Sequence, residues 1–285
     1  MNRLNDFFVA LWQSLLSIVK IILMSRRPTG LPHAEESIDA GEIVILGNGP
    51  SLNDTIADSM PFLRSHCLLA VNFAACAEQF AMLKPRYYVL ADPHFFNSTS
   101  QPNVERLWRV LNGEVDWEMT LLVPHKFRKT IAAKGLIAAD SRLKVAYYNT
   151  TPIEGFEWLE NLAFSARLGM PRPRNVLIPS IMLALGMGYT TIYLAGADHS
   201  WTRTLSVDDD NNVVSIQPHF YKDDEREVRR VNTEYMHHPL HTIMYSFYVA
   251  FRSYFIIARY ARHIGAEILN ITPGSFIDAF PRRKV

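Results

Sequence analysis

The chain has little cysteine and almost no net charge. It contains two cysteines in 285 residues, Cys67 and Cys76, with no CxxC spacing. Both lie in or beside apolar segments, which favours buried, reduced thiols over a disulfide. The formal net charge is +1, and no basic stripe is interleaved with aromatic residues. Composition therefore argues against a nucleic-acid partner.

Established nucleotide-binding motifs are also missing. No GxGxxG and no Gly-Lys-Ser/Thr loop occurs, and we find no internal repeat or low-complexity tract. With 48% hydrophobic and 20% charged residues, the chain is suited to one large globular domain, alone or with a small appendage.

The N-terminus is much more apolar than the rest of the chain. The segment FFVALWQSLLSIVKIILM (7–24) reads as a helix with a broad apolar face. Its narrow polar stripe, about 60° wide on a helical wheel, consists of Asp6, Gln13, Ser17 and Lys20. Arginines on both sides suit anionic headgroups, and no small-residue cleavage site of a signal peptide follows.

We therefore predict a membrane-associating helix over 1–27 and a linker over 28–41. The segment is at the short end for a span of roughly 20 residues, so whether it spans the bilayer or lies on it stays open. The alternative is a helix buried against its own domain or in a homo-oligomer. Residues 42–285 would form the catalytic domain.

From residue 42 onwards, short apolar runs alternate with helical segments. The predicted strands are 42–47, 67–73, 87–92, 120–125, 144–149, 190–198 and 266–272. The predicted helices are 53–65, 75–83, a segment that begins near Pro179–Ser180, and roughly 239–263. This order predicts an α/β fold, Rossmann-like and doubly wound, with a mostly parallel sheet.

In such sheets ligands bind outside the carboxyl ends of the strands. The turn after the first strand, VILGNGPSL (44–52), has glycines that allow close backbone approach and a following helix that offers N–H groups to an anion. Its candidate nucleotide-binding residues are Gly47, Asn48, Gly49, Pro50 and Ser51. The alternative is a tight turn with Ser51 as the helix N-cap.

Polar residues lie at the ends of other predicted strands as well. Asn72 and Asp92 lie at the ends of the next two, and Asp92 suits a ribose hydroxyl, a metal or an acceptor sugar, or else only caps a turn. Ser180, at a predicted helix start, is a second candidate phosphate ligand or an ordinary N-cap. Asp208 and Asp210 form a DxD match that we interpret as a solvated turn.

Two groups of residues could carry acid–base chemistry. Asp198 and His199 follow the strand 190–198 in GADHSW, but one His with one Asp is too few for a closed metal site. His237 and His238 precede Pro239 in EYMHHPLH, just before the last long helix. A histidine there could act as a general base, bind the acceptor or, less in keeping with the spacing, bind a metal.

Several motifs resemble known families. ILGNGPSL (45–52), VNF (71–73) and ALGMGYTTIYLAGAD (184–198) resemble the bacterial sialyltransferases of glycosyltransferase family 42. GNGPSL and LKPRYYVLADPHFF (83–96) are similar to the wider superfamily of MptE-like (6-hydroxymethylpterin diphosphokinase-like) and motility-accessory-factor domains. The similarity covers about residues 42–280 in motif order.

The family 42 resemblance implies a GT-A-like variant of the Rossmann-like fold and a CMP-activated acidic sugar as donor, with no cofactor required. It implies that Asn48, Gly49 and Ser51 lie along the nucleotide phosphates, and that Asn72 and Ser180 contact the nucleotide. Thr272, Gly274 and Ser275, in HIGAEILNITPGS (263–275), would touch the nucleotide too.

The same resemblance implies that His237 or His238 removes the proton of the acceptor hydroxyl. The family places tyrosines after the GxD strand to hold the leaving phosphate, whereas this chain has His199, Ser200 and Trp201 there, with Tyr221 further on. His199 and Tyr221, with Asp92 and His94, are candidate contacts for the donor or acceptor.

The sequence thus predicts a bacterial, inverting glycosyltransferase of surface polysaccharide or glycolipid synthesis, using a nonulosonate- or Kdo-type CMP-sugar. Its partners would be that donor, a glycan or lipid-linked acceptor and the membrane surface, at the cytoplasmic face of the inner membrane. One alternative is a pterin pyrophosphokinase that needs ATP and Mg²⁺, with Asp92 and Asp198 as ligands. The other is a non-catalytic nucleotide-binding accessory protein.

Overall fold

Seven parallel strands form the centre of the molecule. The structure, a computed structural model, describes residues 3–28, 30–34, 41–215, 220 and 238–285. The strands of this sheet are β1 (Glu42–Leu46), β2 (Cys67–Val71), β3 (Tyr87–Val89), β4 (Met119–Pro124), β5 (Leu143–Tyr148), β6 (Thr191–Ala195) and β9 (Glu267–Asn270). A separate hairpin contains β7 (Ser206–Val207) and β8 (Val213–Val214).

The strand order of the sheet is β5-β4-β3-β2-β1-β6-β9, and every adjacent pair is parallel. The chain runs outward from β1 to β5 and then returns to the other side of β1 for β6. This reversal makes the β1–β6 boundary the topological switch point, where doubly wound folds bind their ligands. The predicted α/β, doubly wound fold is confirmed.

Helices cover both faces of the sheet. They are α1 (Arg3–Met24), α2 (Leu52–Asp58), α3 (Met60–Arg64), α4 (Phe80–Leu83), α5 (His94–Asn97), α6 (Pro102–Gly113), α7 (Arg128–Lys134), α8 (Glu157–Ser165), α9 (Leu177–Met187) and α10 (Leu240–His263). Ile43 and Ile45 face the core beneath α9 and α10, while Val44 and Leu46 face the opposite core beneath α2 and α6. Burial on both sides explains why the strands read as continuous apolar runs.

Some predicted boundaries were wrong. The predicted helix 53–65 is two helices, because the chain bends at Ser59, which has φ −128°. The predicted helix 75–83 is a 3₁₀ turn, Asn72–Cys76, followed by the short α4. The predicted strands 67–73, 87–92 and 190–198 are two to four residues shorter, since their last residues leave the sheet to form the ligand-side loops.

The N-terminal helix α1 packs on the domain through its small polar residues. Ser17 Oγ donates to the carbonyl of Glu154 (2.7 Å) and accepts from its N–H (2.9 Å). Ser14 Oγ accepts from the N–H of Phe156 (2.9 Å), and a Cβ on Gly155 would lie 2.2 Å from that oxygen. Only glycine permits this close crossing of helix and loop.

The other side of α1 is apolar and open to solvent. Among the described residues, Leu4–Met24 is the one helix long and apolar enough to cross a membrane, and 11% of its most apolar stretch is buried. The exposed apolar side chains are Leu4, Phe7, Phe8, Val9, Leu11, Trp12, Leu15, Leu16, Ile18, Val19, Ile22, Leu23 and Met24. Part of the predicted polar stripe therefore faces the protein, and the apolar face points outward.

Candidate functional site

A cleft of about 1030 Å³ opens at the carboxyl ends of β1 and β6. It lies at the switch point, and the loops after β1, β2, β3 and β6 contribute to it, as do the start of α9 and one side of α10. Its polar and glycine lining consists of Asn48, Gly49, Asn72, Asp92, Lys126, Thr150, Arg174, Asn175, Gly196, Asp198, His199, Ser200, Arg203, Thr204 and Ser246.

Glycines bring the backbones of the two central loops together. Gly47 N–H donates to the carbonyl of Ala195 (2.8 Å), and Gly49 N–H donates to that of Gly196 (2.9 Å). A Cβ on Gly47 would lie 2.5 Å from the Gly196 oxygen, and one on Gly49 would lie 1.9 Å from Asp198 Oδ2. Both positions therefore require glycine for steric reasons. The two backbone hydrogen bonds hold the glycines of GNG against the carboxyl end of β6.

Ser51 binds a carboxylate instead of capping a helix. Its Oγ donates to Asp198 Oδ2 (2.7 Å), and it makes no side-chain bond to the first turn of α2. The N–H groups of Leu52 and Asn53 already donate to the carbonyls of Gly49 (3.1 Å) and Pro50 (3.2 Å). The prediction of free helix N–H groups for an anion was therefore wrong for these two residues, because the turn uses them internally.

Three asparagine side chains in the cleft keep a buried polar atom without a hydrogen bond among the described residues. These atoms are Oδ1 of Asn48, Oδ1 of Asn72 and Nδ2 of Asn175. Leaving a buried amide atom unbonded costs about 1–3 kcal/mol, so such groups call for an explanation. All three residues line the cleft, so a polar ligand bound there is a candidate partner for these atoms. Asn72 also has φ +50°, which is uncommon outside glycine.

Asp92 caps a turn and also lines the cleft. Its Oδ1 accepts from the N–H of His94 (2.8 Å), as in the turn-capping alternative. His94 begins α5 and does not line the cleft. Its ring is half-buried, and the ring centroid lies 6.2 Å from that of Phe95. Within the described chain, no three His, Cys, Asp or Glu side chains group as metal ligands.

The predicted start of α9 at Pro179–Ser180 was wrong. The helix starts at Leu177, and Asn175 Oδ1 accepts from the N–H groups of Leu177 (3.0 Å) and Ile178 (3.3 Å). Ser180 is fully buried, and its Oγ donates to the carbonyl of Val176 (2.7 Å). The polar side chain that this helix start brings to the cleft is Asn175.

The loop after β9 supports the site from behind. Thr272 Oγ1 accepts from the N–H of Ala197 (2.9 Å) and donates to the carbonyl of Leu194 (3.0 Å), while Ser275 Oγ donates to the carbonyl of Ala197 (2.6 Å). Thr272 and Gly274 line a neighbouring cavity of about 720 Å³. The structure therefore places these residues where they hold the loop that carries Asp198.

His199 is buried at the wall of the cleft, with 9% of its surface exposed. Its ring centroid lies 4.1 Å from that of Trp201 and 5.5 Å from that of Tyr254, and its Nδ1 is 3.1 Å from Tyr254 Oη. Burial lowers the pKa of His199 from 6.5 to about 3, so the imidazole is neutral near pH 7. Burial raises the pKa of Tyr254.

The remaining predicted residues lie near or beyond the edge of the described structure. His237 and Tyr221 are outside the described residues. His238 is described and exposed, two residues before α10, and Ser246 of that helix lines the cleft. Asp208 follows β7, and its Oδ1 accepts from the N–H groups of Asp210 (3.1 Å) and Asn212 (2.7 Å), so the DxD loop is a surface turn.

Three cationic side chains in the cleft escaped the sequence analysis. Lys126, Arg174 and Arg203 line it together with the carboxylates of Asp92 and Asp198. Arg203 is held over the ring of Phe276, with 4.7 Å from its guanidinium carbon to the ring centroid. The strand-end rule could have found Lys126, which lies two residues after the end of β4, whereas Arg174 lies in a loop and Arg203 in a 3₁₀ turn, neither with a motif.

One solved structure shares this fold at low sequence identity. The chain is similar over 95% of its length to the structure of MAf glycosyltransferase from Magnetospirillum magneticum AMB-1, with a TM-score of 0.50 and 12% identity. It spans 38% of the length of that protein. No protein-family model matches the chain, and no curated protein matches its sequence. The resemblance to motility-accessory-factor domains is thus confirmed for the fold.

Proposed function

We propose that this chain is an inverting glycosyltransferase that transfers an acidic sugar, of nonulosonate or Kdo type, from a CMP-activated donor. The acceptor would be a glycan or a lipid-linked sugar of surface polysaccharide or glycolipid synthesis. The description of the structural neighbour as a glycosyltransferase supports the general class. The CMP donor follows from the resemblance to family 42.

The observation that carries the proposal is the composition of the cleft at the switch point. Its volume of about 1030 Å³ lies at the top of the range of small-molecule sites, which suits a nucleotide joined to a sugar. Asn48 and Asn72 line the β1 and β2 side of this cleft, and each has a buried amide oxygen without a hydrogen bond among the described residues. These acceptors suit donor groups such as ribose hydroxyls or a base amino group, and they do not suit phosphate oxygens.

Cationic side chains in the cleft can make the phosphate contacts that the asparagine oxygens cannot make. Lys126, Arg174 and Arg203 are exposed and line the cleft, where they can contact a phosphate, and guanidinium groups bind phosphate through paired hydrogen bonds. In the reaction, negative charge develops on the departing CMP, so these cations would stabilise the transition state. The proposed phosphate contacts are thus these cations and not the N–H groups of Leu52 and Asn53 at the start of α2.

The base is proposed to be His237 or His238. The acceptor hydroxyl would attack the anomeric carbon as the bond to the CMP phosphate breaks, and the neutral imidazole would take the hydroxyl proton. Changing each histidine singly to Ala should identify the base by a large loss of turnover with CMP binding retained. Loss of turnover in neither variant would contradict this mechanism.

The position of α1 supports association of the protein with a membrane. Its thirteen exposed large apolar side chains form a surface larger than water-soluble monomers usually show, and Met24 at its end lines the cleft. With α1 in or on the bilayer, the cleft would open beside the headgroups, where lipid-linked acceptors reside. We propose the cytoplasmic face of the inner membrane. Burial of the same face in a homo-oligomer is the competing arrangement.

A nucleotide panel tests the proposal. The melting temperature of the full chain in a nonionic detergent is measured with CMP, UMP, GMP and ATP, each with EDTA and with Mg²⁺. We expect CMP to raise the melting temperature in EDTA, because a ligand that binds only the folded state stabilises it. A shift with ATP and Mg²⁺ and none with CMP would contradict the proposal and favour a pterin pyrophosphokinase.

A further inference from the structure

His199 is held in an unusual place by three aromatic neighbours. It lies in the loop after β6, directly after Asp198. Its φ is +49°, a left-handed backbone conformation that is uncommon outside glycine. Its ring packs between Trp201 and Tyr254, and Phe251 lies edge-on at 6.4 Å. The ring thus has one orientation, with Nδ1 directed at Tyr254 Oη.

A chain of hydrogen bonds decides which ring nitrogen carries the proton. Asn175 Oδ1 accepts from two backbone N–H groups at the start of α9, which fixes that atom as the amide oxygen. Tyr254 Oη lies 3.0 Å from the same oxygen and must donate its single proton to it. Tyr254 Oη can then only accept from His199 Nδ1, at 3.1 Å, so Nδ1 carries a proton.

The other ring nitrogen therefore has a free lone pair. Because burial keeps the ring neutral, Nδ1–H leaves Nε2 unprotonated. Within the described part of the chain, Nε2 makes no hydrogen bond, and His199 lines the cleft. Nε2 is a hydrogen-bond acceptor that cannot donate, and with so low a proton affinity it is a poor general base.

We propose that Nε2 of His199 accepts a hydrogen bond from a hydroxyl or N–H group of the sugar bound in the cleft, and that Tyr254 and Asn175 are positioning residues that fix its tautomer. This inference rests on the proposed function. It also assigns specificity: a carboxylate or phosphate oxygen facing Nε2 would set lone pair against lone pair. The acidic group of the sugar must therefore lie elsewhere, towards the cationic side chains.

The tautomer can be measured without any ligand. In protein labelled with ¹⁵N-histidine, two-bond ¹H–¹⁵N spectra separate protonated from bare ring nitrogens, and His199→Asn identifies the His199 signal. We expect protonated Nδ1 and bare Nε2 from pH 5 to 8 in wild type. Tyr254→Phe should populate the other tautomer, whereas Tyr260→Phe, a buried tyrosine of the same helix that bonds Ser165, should not.

A wild-type ring protonated at Nε2, or an unchanged tautomer in Tyr254→Phe, would overturn the inference.

The sugar contact has its own test, with His199→Asn as the variant. Asparagine tolerates the left-handed backbone and can still donate to Tyr254, but it places nothing at the Nε2 position.

The probes are CMP and the CMP ester of N-acetylneuraminic acid, titrated calorimetrically. We expect His199→Asn to bind the CMP-sugar about tenfold more weakly and CMP unchanged, since one hydrogen bond is lost from the sugar alone. Equal weakening for both probes, or for neither, would overturn the sugar contact. If wild type binds neither probe, the proposed function fails with it, while the tautomer spectra still test the Asn175–Tyr254–His199 chain separately.

Discussion

The buried imidazole of His199 should make the protein less stable in mild acid. In the folded state its pKa is lowered to about 3 by burial, against an ordinary value of 6.5. The unfolded chain therefore takes up a proton at His199 first as the pH falls. This contribution to stability is present above pH 6.5, decreases below it, and stops changing near the folded-state pKa of about 3.

The magnitude follows from the two pKa values. Between pH 7 and pH 5 the unfolded state becomes almost fully protonated at this residue, while the folded state does not. The linkage relation then gives a loss of about 2 kcal/mol in the free energy of unfolding. A folded-state pKa one unit higher would hardly change the figure, because pH 5 would still lie above it.

Urea unfolding of wild type and His199→Asn is followed by tryptophan fluorescence in the same detergent. The comparison isolates the contribution of His199 to the pH dependence of the free energy of unfolding. All other titrating groups are shared by the two proteins. The free energy of unfolding of wild type minus that of His199→Asn should therefore fall by about 2 kcal/mol from pH 7 to pH 5. A difference that stays constant over this range would show that His199 titrates alike in both states. The account of a buried neutral ring would then be refuted.

Two further predictions concern the glycine turn and α1. Gly49→Ala should destabilise the protein by about 1–3 kcal/mol and weaken CMP binding, because its Cβ would lie 2.7 Å from the backbone oxygen of Gly196 as well as 1.9 Å from Asp198 Oδ2. Gly113→Ala, with no atom within 4 Å, is the matched control. Equal stability of the two variants in urea would contradict the steric argument. Exchanging the exposed Phe8 and Trp12 for Ser should lower co-flotation with anionic liposomes and leave the melting temperature within the error of wild type. Unchanged flotation together with a change in oligomeric state would favour the homo-oligomer.

The fold and the position of the cleft could be predicted from local patterns. Apolar runs that alternate with helical segments indicate a parallel sheet, and the carboxyl ends of parallel strands meet at one edge. Asn48, Asn72, Asp92 and Asp198 therefore meet in one cleft, as the strand-end argument implies. The strand order itself has no local signal, although it decides that the loops after β1 and β6 are neighbours.

What the sequence could not show depends on long-range contacts. The bonds from Asn175 and His199 to Tyr254 join residues 79 and 55 positions apart, so no motif spacing reveals them. Ser51 has the residue type and position of an N-cap, yet its hydroxyl donates a hydrogen bond to a carboxylate 147 positions away. The polar side of α1 could be read from its periodicity, but its docking on the loop after β5 could not.

We propose above that the cleft between the β1 and β6 loops binds the CMP part of a sugar donor. Calorimetric titration of CMP in EDTA tests it directly, with wild type, Arg174→Ala and Arg109→Ala. Arg174 lines the cleft, whereas Arg109 is an exposed arginine on α6 that does not.

We expect wild type and Arg109→Ala to bind CMP alike, and Arg174→Ala to bind it at least about tenfold more weakly through the loss of a charged phosphate contact. No binding to wild type, or equal affinity for all three proteins, would contradict the proposal.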